Sequence, residues 1–279
     1  MNRKILIALV SILIFGIIFA VIFTNLRKNH SSQDSNSNTA AVSSDKKNII
    51  DFLLPDFPIK EVPLFKLEKV SSSHIFVNTD PKNKSDFGET NYAYYNVVLY
   101  SDSTKDEFLQ FYKNLFDKQI TDNYDMPDTV KGSIGQYRIA VSHYNVDKTG
   151  YIRVYLPSIN DKRIDPYFTD FPSFFTAGPE LIEHEKTYGL LNQKGGEIEF
   201  RKYYTVIDSG DANGDGKDDV VEFAKLEKEY QEKYQSKPDY SYDNKTGLMK
   251  FKDRDYQVTL TISRDHSRIY LMIRKGMNK

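Results

Sequence analysis

The spacing of apolar and polar residues divides the chain into one membrane-length apolar run, a polar tether and a long stretch of strand and helix patterns. Residues 5–24, ILIALVSILIFGIIFAVIFT, carry no charge. Twenty helical residues at about 1.5 Å each span the roughly 30 Å hydrocarbon core of a bilayer, so this run predicts a transmembrane helix. It is longer than the apolar region of about 7 to 15 residues in a cleavable signal, and a cut after Ala20 would fall inside it. Residues 1–28 are therefore expected to be an uncleaved signal anchor. Residues 29–47, rich in Ser and Asn and without apolar periodicity, predict a flexible linker. In the following IIDFLLPDFPIKEVPLF, Pro55, Pro58 and Pro63 forbid a long helix and favour an extended path.

The β-branched and aromatic residues from Tyr92 to Tyr100 predict a strand. From Ser103 to Phe116, Phe108, Phe111, Tyr112, Leu115 and Phe116 share one helical face, with Thr104 and Glu107 at capping-box spacing. QYRIAVSHY sets Tyr137, Ile139, Val141 and His143 on one side of a strand, and GYIRVYL follows through a turn, which predicts a hairpin. The second half runs in the same order. A strand pattern from Phe200 to Ile207 precedes helical spacing at Val220, Phe223, Leu226, Tyr230 and Tyr234, and YQVTLTI and RIYLMI then make a second hairpin. Setting Tyr137 against Tyr256 aligns the two hairpins and predicts an internal duplication. The expected fold class is α+β, with two similar strand-helix-strand-strand modules at residues 48–158 and 159–279.

Charge and composition narrow the function classes. The net charge is −1, and the first 28 residues hold Arg3, Lys4, Arg27 and Lys28 without an acid, so the remainder stands at −5. That balance argues against nucleic acid, whose phosphates attract basic surfaces. The chain has no cysteine, which removes disulfides, thiol catalysis and cysteine-ligated metals. Arg27 and Lys28 nearly cancel the positive-inside bias of Arg3 and Lys4, but a short amino end before a large polar part is the layout of an anchor whose carboxyl end lies outside the cytoplasm. The expected location is the cell membrane, single-pass, with the folded part extracytoplasmic.

The run GDANGDGKDDVVEF, residues 210–223, concentrates oxygen donors. Numbered from Asp211, it places Asp211, Asn213 and Asp215 at positions 1, 3 and 5, Gly216 at 6, the Lys217 carbonyl at 7, Asp219 at 9 and Glu222 at 12. This resembles an isolated EF-hand calcium loop. In such loops alternate residues point inward with hard oxygens, the glycine permits the reversal, and the last carboxylate arrives bidentate from the exiting helix. Asp218 replaces the aliphatic residue usual at position 8, and no second loop of this kind occurs in the chain. The resemblance implies a Ca2+ site made of Asp211, Asn213, Asp215, Lys217, Asp219 and Glu222. The competing reading is a solvated turn in which Asp211, Asp218 and Asp219 cap a helix. An extracellular site in the weak range of roughly 10⁻⁴ to 10⁻³ M would stay filled, so a structural brace is expected rather than a switch.

The rest of the chain offers little chemistry. His30, His74, His143, His184 and His266 show no metal-ligating spacing, and no nucleophile elbow, phosphate loop or dinucleotide fingerprint is present. Asp165 and Asp170 form a carboxylate pair of a kind common by chance among 39 acids. Tyr92, Tyr94, Tyr100, Tyr151 and Tyr155 suggest either an aromatic binding surface for a glycan or protein, or plain sheet cover. The first module, with its STKDEFLQFYKNLF helix, is weakly similar to small bacterial envelope domains of unknown function. The expected function is that of a non-catalytic, membrane-anchored, calcium-binding extracytoplasmic protein contacting an envelope protein or glycan. A cell-wall-directed hydrolase and an extracellular calcium sensor are the alternatives.

Overall fold

The structure, a computed structural model, describes residues 52–67, 69–121, 128–144, 148–169, 172, 181–192, 196–206, 219–263 and 268–277. Twelve strands form a single antiparallel sheet: β1 (Lys69–Asn78), β2 (Tyr92–Tyr100), β3 (Lys118–Gln119), β4 (Thr129–Ile134), β5 (Tyr137–Tyr144), β6 (Thr149–Tyr155), β7 (Leu181–Leu191), β8 (Glu197–Val206), β9 (Ser241–Asp243), β10 (Leu248–Asp253), β11 (Tyr256–Ile262) and β12 (Arg268–Gly276). Their order across the sheet is β3-β4-β5-β6-β2-β1-β7-β8-β12-β11-β10-β9. Among the described residues there are also helices α1 (Lys105–Leu115), α2 (Asp165–Thr169) and α3 (Asp219–Tyr234), with a 3-10 turn at Phe65–Leu67.

This corrects the expected α+β class. The fold is mainly an antiparallel sheet with few helices, and strand-helix-strand-strand modules do not form. Three strands of each half were missing from the sequence pattern, β1, β3 and β4 in the first and β7, β9 and β10 in the second, and β1 and β7 decide the architecture. β1 and β7 pair with each other at the centre, from Ser72↔Leu191 to Asn78↔Glu185, and so join everything into one sheet. Among the described residues no helix is long and apolar enough to cross a membrane, and no group of three or more His, Asp or Glu is placed to hold a metal. The expected transmembrane helix and metal-binding loop therefore have no counterpart there; residues 5–24 and 211–218 lie outside the described residues.

The two halves of the sheet have one connectivity. From the centre outward the first runs β1-β2-β6-β5-β4-β3 and the second β7-β8-β12-β11-β10-β9, each with a helix between its second and third strands. Backbone detail repeats as well. Asp128 and Gly247 both adopt positive φ (69° and 70°), as do Gly135 and Arg254 (56° and 56°), each pair 119 residues apart. The bond from His143 N–H to the Asp128 carbonyl (3.3 Å) has its counterpart, at the same spacing, from Ile262 N–H to the Gly247 carbonyl (3.1 Å).

One face of the sheet carries the cores. Residues 52–65 cross the first half: the Leu54 N–H donates to Ser73 Oγ (3.0 Å) and Phe57 meets the Tyr95 ring edge-on. α1 starts with a full capping box between Thr104 and Glu107 and buries Phe108, Leu109 and Tyr112. Gly150 makes room for this contact, since a Cβ there would overlap the Phe108 ring. In the second half Tyr234 of α3 stacks on Phe251 at 4.5 Å. The two hydrophobic clusters share Tyr188 and Ile198, which pack against both. The outermost strands, β3 and β9, have two and three residues, and such short edges offer little template for adding another strand.

Candidate binding face of the sheet

Side chains alternate across a strand, so the register fixes which residues share the face opposite the helices. β1 gives it His74 and Phe76, β2 Tyr92, Tyr94 and Asn96, and β6 Tyr151, Arg153 and Tyr155. β7 adds Glu185, Thr187 and Gly189, β8 Glu199, Arg201 and Tyr203, and β12 Tyr270, Met272 and Arg274. The five tyrosines singled out in the sequence, Tyr92, Tyr94, Tyr100, Tyr151 and Tyr155, all lie on this face. They do not form one open platform. Tyr155 is buried, Tyr94 stacks parallel to Phe76 at 5.2 Å, and Tyr100 is 48% exposed.

The β1–β2 loop closes the first half of the face. Asp86 accepts from Arg153 (2.8 and 3.0 Å) and from the Tyr155 hydroxyl (2.6 Å), while Phe87 meets the Tyr155 ring edge-on at 5.0 Å. Lys131 Nζ donates to the Asp86 carbonyl (3.2 Å), and Arg138 pairs with Glu89 across the loop. Burial and the nearby Asp86 carboxylate push the Tyr155 hydroxyl far above its ordinary value, so it is a fixed donor and has no role as a base.

The second half places charge where the first has aromatic rings. Glu199 is fully buried, and its two oxygens accept from Arg201 Nε (2.6 Å) and Arg274 Nε (2.7 Å). His74 Nε2 stands 3.6 Å from the same carboxylate. Its imidazole lies over Gly189, where any Cβ would collide with it. Burial pushes the Glu199 carboxyl up, but His74, Arg201 and Arg274 together outweigh burial and hold it down at about 2. Glu185 moves the other way, raised chiefly by burial against the pull of Arg201. Near the seam, Asn96 Oδ1 is buried without a hydrogen-bond partner.

These groups do not assemble a reaction centre. The Glu199 carboxylate is committed to two guanidinium groups, and where a hydroxyl meets a histidine among the described residues, Thr205 on His184, no third group on His184 Nδ1 orients the ring as a nucleophile's base requires. His143 is buried against Phe108 in the core, His184 bonds Thr205 Oγ1 (2.6 Å), and His30 and His266 lie outside the described residues. Asp165 begins α2 on the surface, and Asp170 is not among the described residues. Of the expected calcium ligands, Asp211, Asn213, Asp215 and Lys217 fall outside the described residues; Asp219 and Glu222 lie on the first turn of α3, their side chains undescribed. Sequence reasoning passed over Glu199, Arg201 and Arg274, and gave His74 no role. The alternation in EIEFRKYY signals a charged strand face at 197, 199 and 201, but not that its middle acid is enclosed.

Comparison with known protein families, with curated proteins and with solved structures finds no match to this chain.

Proposed function

We propose that the chain is a non-catalytic binding module of the cell envelope, anchored in a membrane through residues 5–24, with its folded part outside the cytoplasm and calcium bracing the loop 211–222. The observation that carries the binding reading is the construction of the polar face. Its buried charges are locked in pairs, Asp86 with Arg153 and Glu199 with Arg201 and Arg274, which hold a surface in shape and commit both of these carboxylates. The anchor and the calcium site enter from the sequence, through the length of the apolar run and the order of oxygen donors at Asp211, Asn213, Asp215, Lys217, Asp219 and Glu222.

Full-length protein in non-ionic detergent tests the reading. With isolated envelope material it is expected to sediment saturably and to release no soluble sugar or peptide fragments. Fragment release that disappears when the protein is heat-denatured would make it a hydrolase instead. In the same preparation calcium is expected to give binding heat and a higher melting temperature, both lost in Asp211→Ala and in Glu222→Gln; no heat and no shift would remove calcium from the reading.

A further inference from the structure

We infer that Arg201 and Arg274 form a binding site for a phosphate group on the open half of the polar face. This rests on the reading of the chain as a binding module and names the group that module recognises.

The internal repeat shows why this position stands out. In the first half Phe76, Tyr94 and Tyr155 lie side by side across β1, β2 and β6; the repeat places Gly189, Glu199 and Arg274 at the same points of β7, β8 and β12. Arg201 takes the place of Asn96. The aromatic row is sealed by the β1–β2 connection, thirteen residues long (79–91), whereas the β7–β8 connection has five (192–196). Packing does not call for charges here. A buried ion pair yields little net stability over apolar side chains of similar volume, and the first half fills the equivalent space with rings.

The geometry fits an oxyanion. Each guanidinium is held by its Nε–H on a separate oxygen of one enclosed carboxylate, at 2.6 and 2.7 Å, so both are oriented before any ligand arrives. Their side chains remain 46% and 32% exposed, and among the described residues Glu199 is the one acid paired with either. The Nη donors at the outer ends are thus free for a ligand. Two guanidinium groups against one carboxylate leave one positive charge. On the same face, Lys250 extends the positive character through the row Arg201, Met272, Thr259 and Lys250. Glu197 and Glu185 flank the pair, and burial raises the Glu185 carboxyl against the pull of Arg201. One guanidinium fork already satisfies a carboxylate ligand, whereas a phosphate presents oxygens to two forks at once.

Calorimetry on the full-length protein in non-ionic detergent at low salt tests the site, using inorganic phosphate, glycerol phosphate as a monoester and dimethyl phosphate as a diester. The expected result is saturable phosphate binding with a Kd on the order of 1 mM, weakened about tenfold or more in Arg201→Gln and in Arg274→Gln. Because Arg274→Gln disturbs the partner of Glu199, Arg274→Lys provides a second variant that keeps the charge and loses the fork; it too is expected to weaken binding, with its melting temperature near that of the wild type. Binding of the diester as well as the monoester would place the group on a polymer, and binding of the monoester alone would place it on a small dianion. Absence of phosphate heat in the wild type, or unchanged affinity in the folded Arg201→Gln and Arg274→Lys proteins, overturns the inference. Envelope sedimentation that persists without phosphate binding overturns this inference alone; phosphate binding without sedimentation upholds it and removes the envelope partner.

Discussion

A carboxylate enclosed in a sheet face is stable only while something holds its charge, and at Glu199 that is done by Arg201, Arg274 and the neighbouring His74 ring. The folded state keeps this carboxyl at about 2, below the 4.5 of an unperturbed glutamate. The stabilisation is therefore complete above about pH 4.5 and is lost as the pH falls from there toward 2. Denaturant titrations across this window should show the wild type losing on the order of 3 kcal/mol more than Glu199→Gln, which has no carboxyl to protonate. Equal pH profiles for the two proteins would mean that Glu199 is not the acid held low. At this scale the sequence was only partly legible. It shows Glu199 and Arg201 on one strand face, but Arg274 is 75 residues away and meets Glu199 only because β12 pairs with β8.

Local patterning was most dependable where an element is specified by its own residues. α1 is the clearest case: the Thr104 side chain accepts from the Glu107 N–H, the Glu107 carboxylate accepts from the Thr104 N–H, and the aromatic stripe faces the core. Thr104→Ala should cost about 1 kcal/mol in chemical denaturation, and Thr104→Asp, which keeps an oxygen acceptor, should recover most of it. Strands in the middle of the sheet were harder to read. KVSSSHIFVN and LIEHEKTYGLL, which form β1 and β7, mix serines, charges and a glycine where a fully paired strand usually shows a β-branched run. What makes them strands is a partner on each side, and the partners of β1 are β2 and β7.

Across the whole molecule, the two hydrophobic clusters are coupled through the β1–β7 ladder and through Tyr188 and Ile198. The wild type is expected to melt in a single calorimetric transition. Tyr188→Ala removes the ring that packs between Tyr167 and Phe200, at 5.1 and 5.2 Å, and is expected to separate the halves into two resolved transitions. An unsplit melt in that variant would assign the coupling to the backbone ladder alone.

The sequence by itself determined what depends on neighbours along the chain: the capped α1 helix, the hairpins aligned at Tyr137 and Tyr256, the lack of a long helix between Pro55 and Pro63, where turns replace the expected extended path, and the order of oxygen donors from Asp211 to Glu222. Hydrophobic period, capping and turn chemistry are local quantities, and a single chain displays them. The tertiary structure alone decided that both halves share one sheet, that α+β modules give way to an antiparallel fold, and that Glu199, Arg201, Arg274 and His74 meet. Hydrogen bonding between strands far apart in the chain is selected by the sum of pairings and burial, and no short window contains that sum.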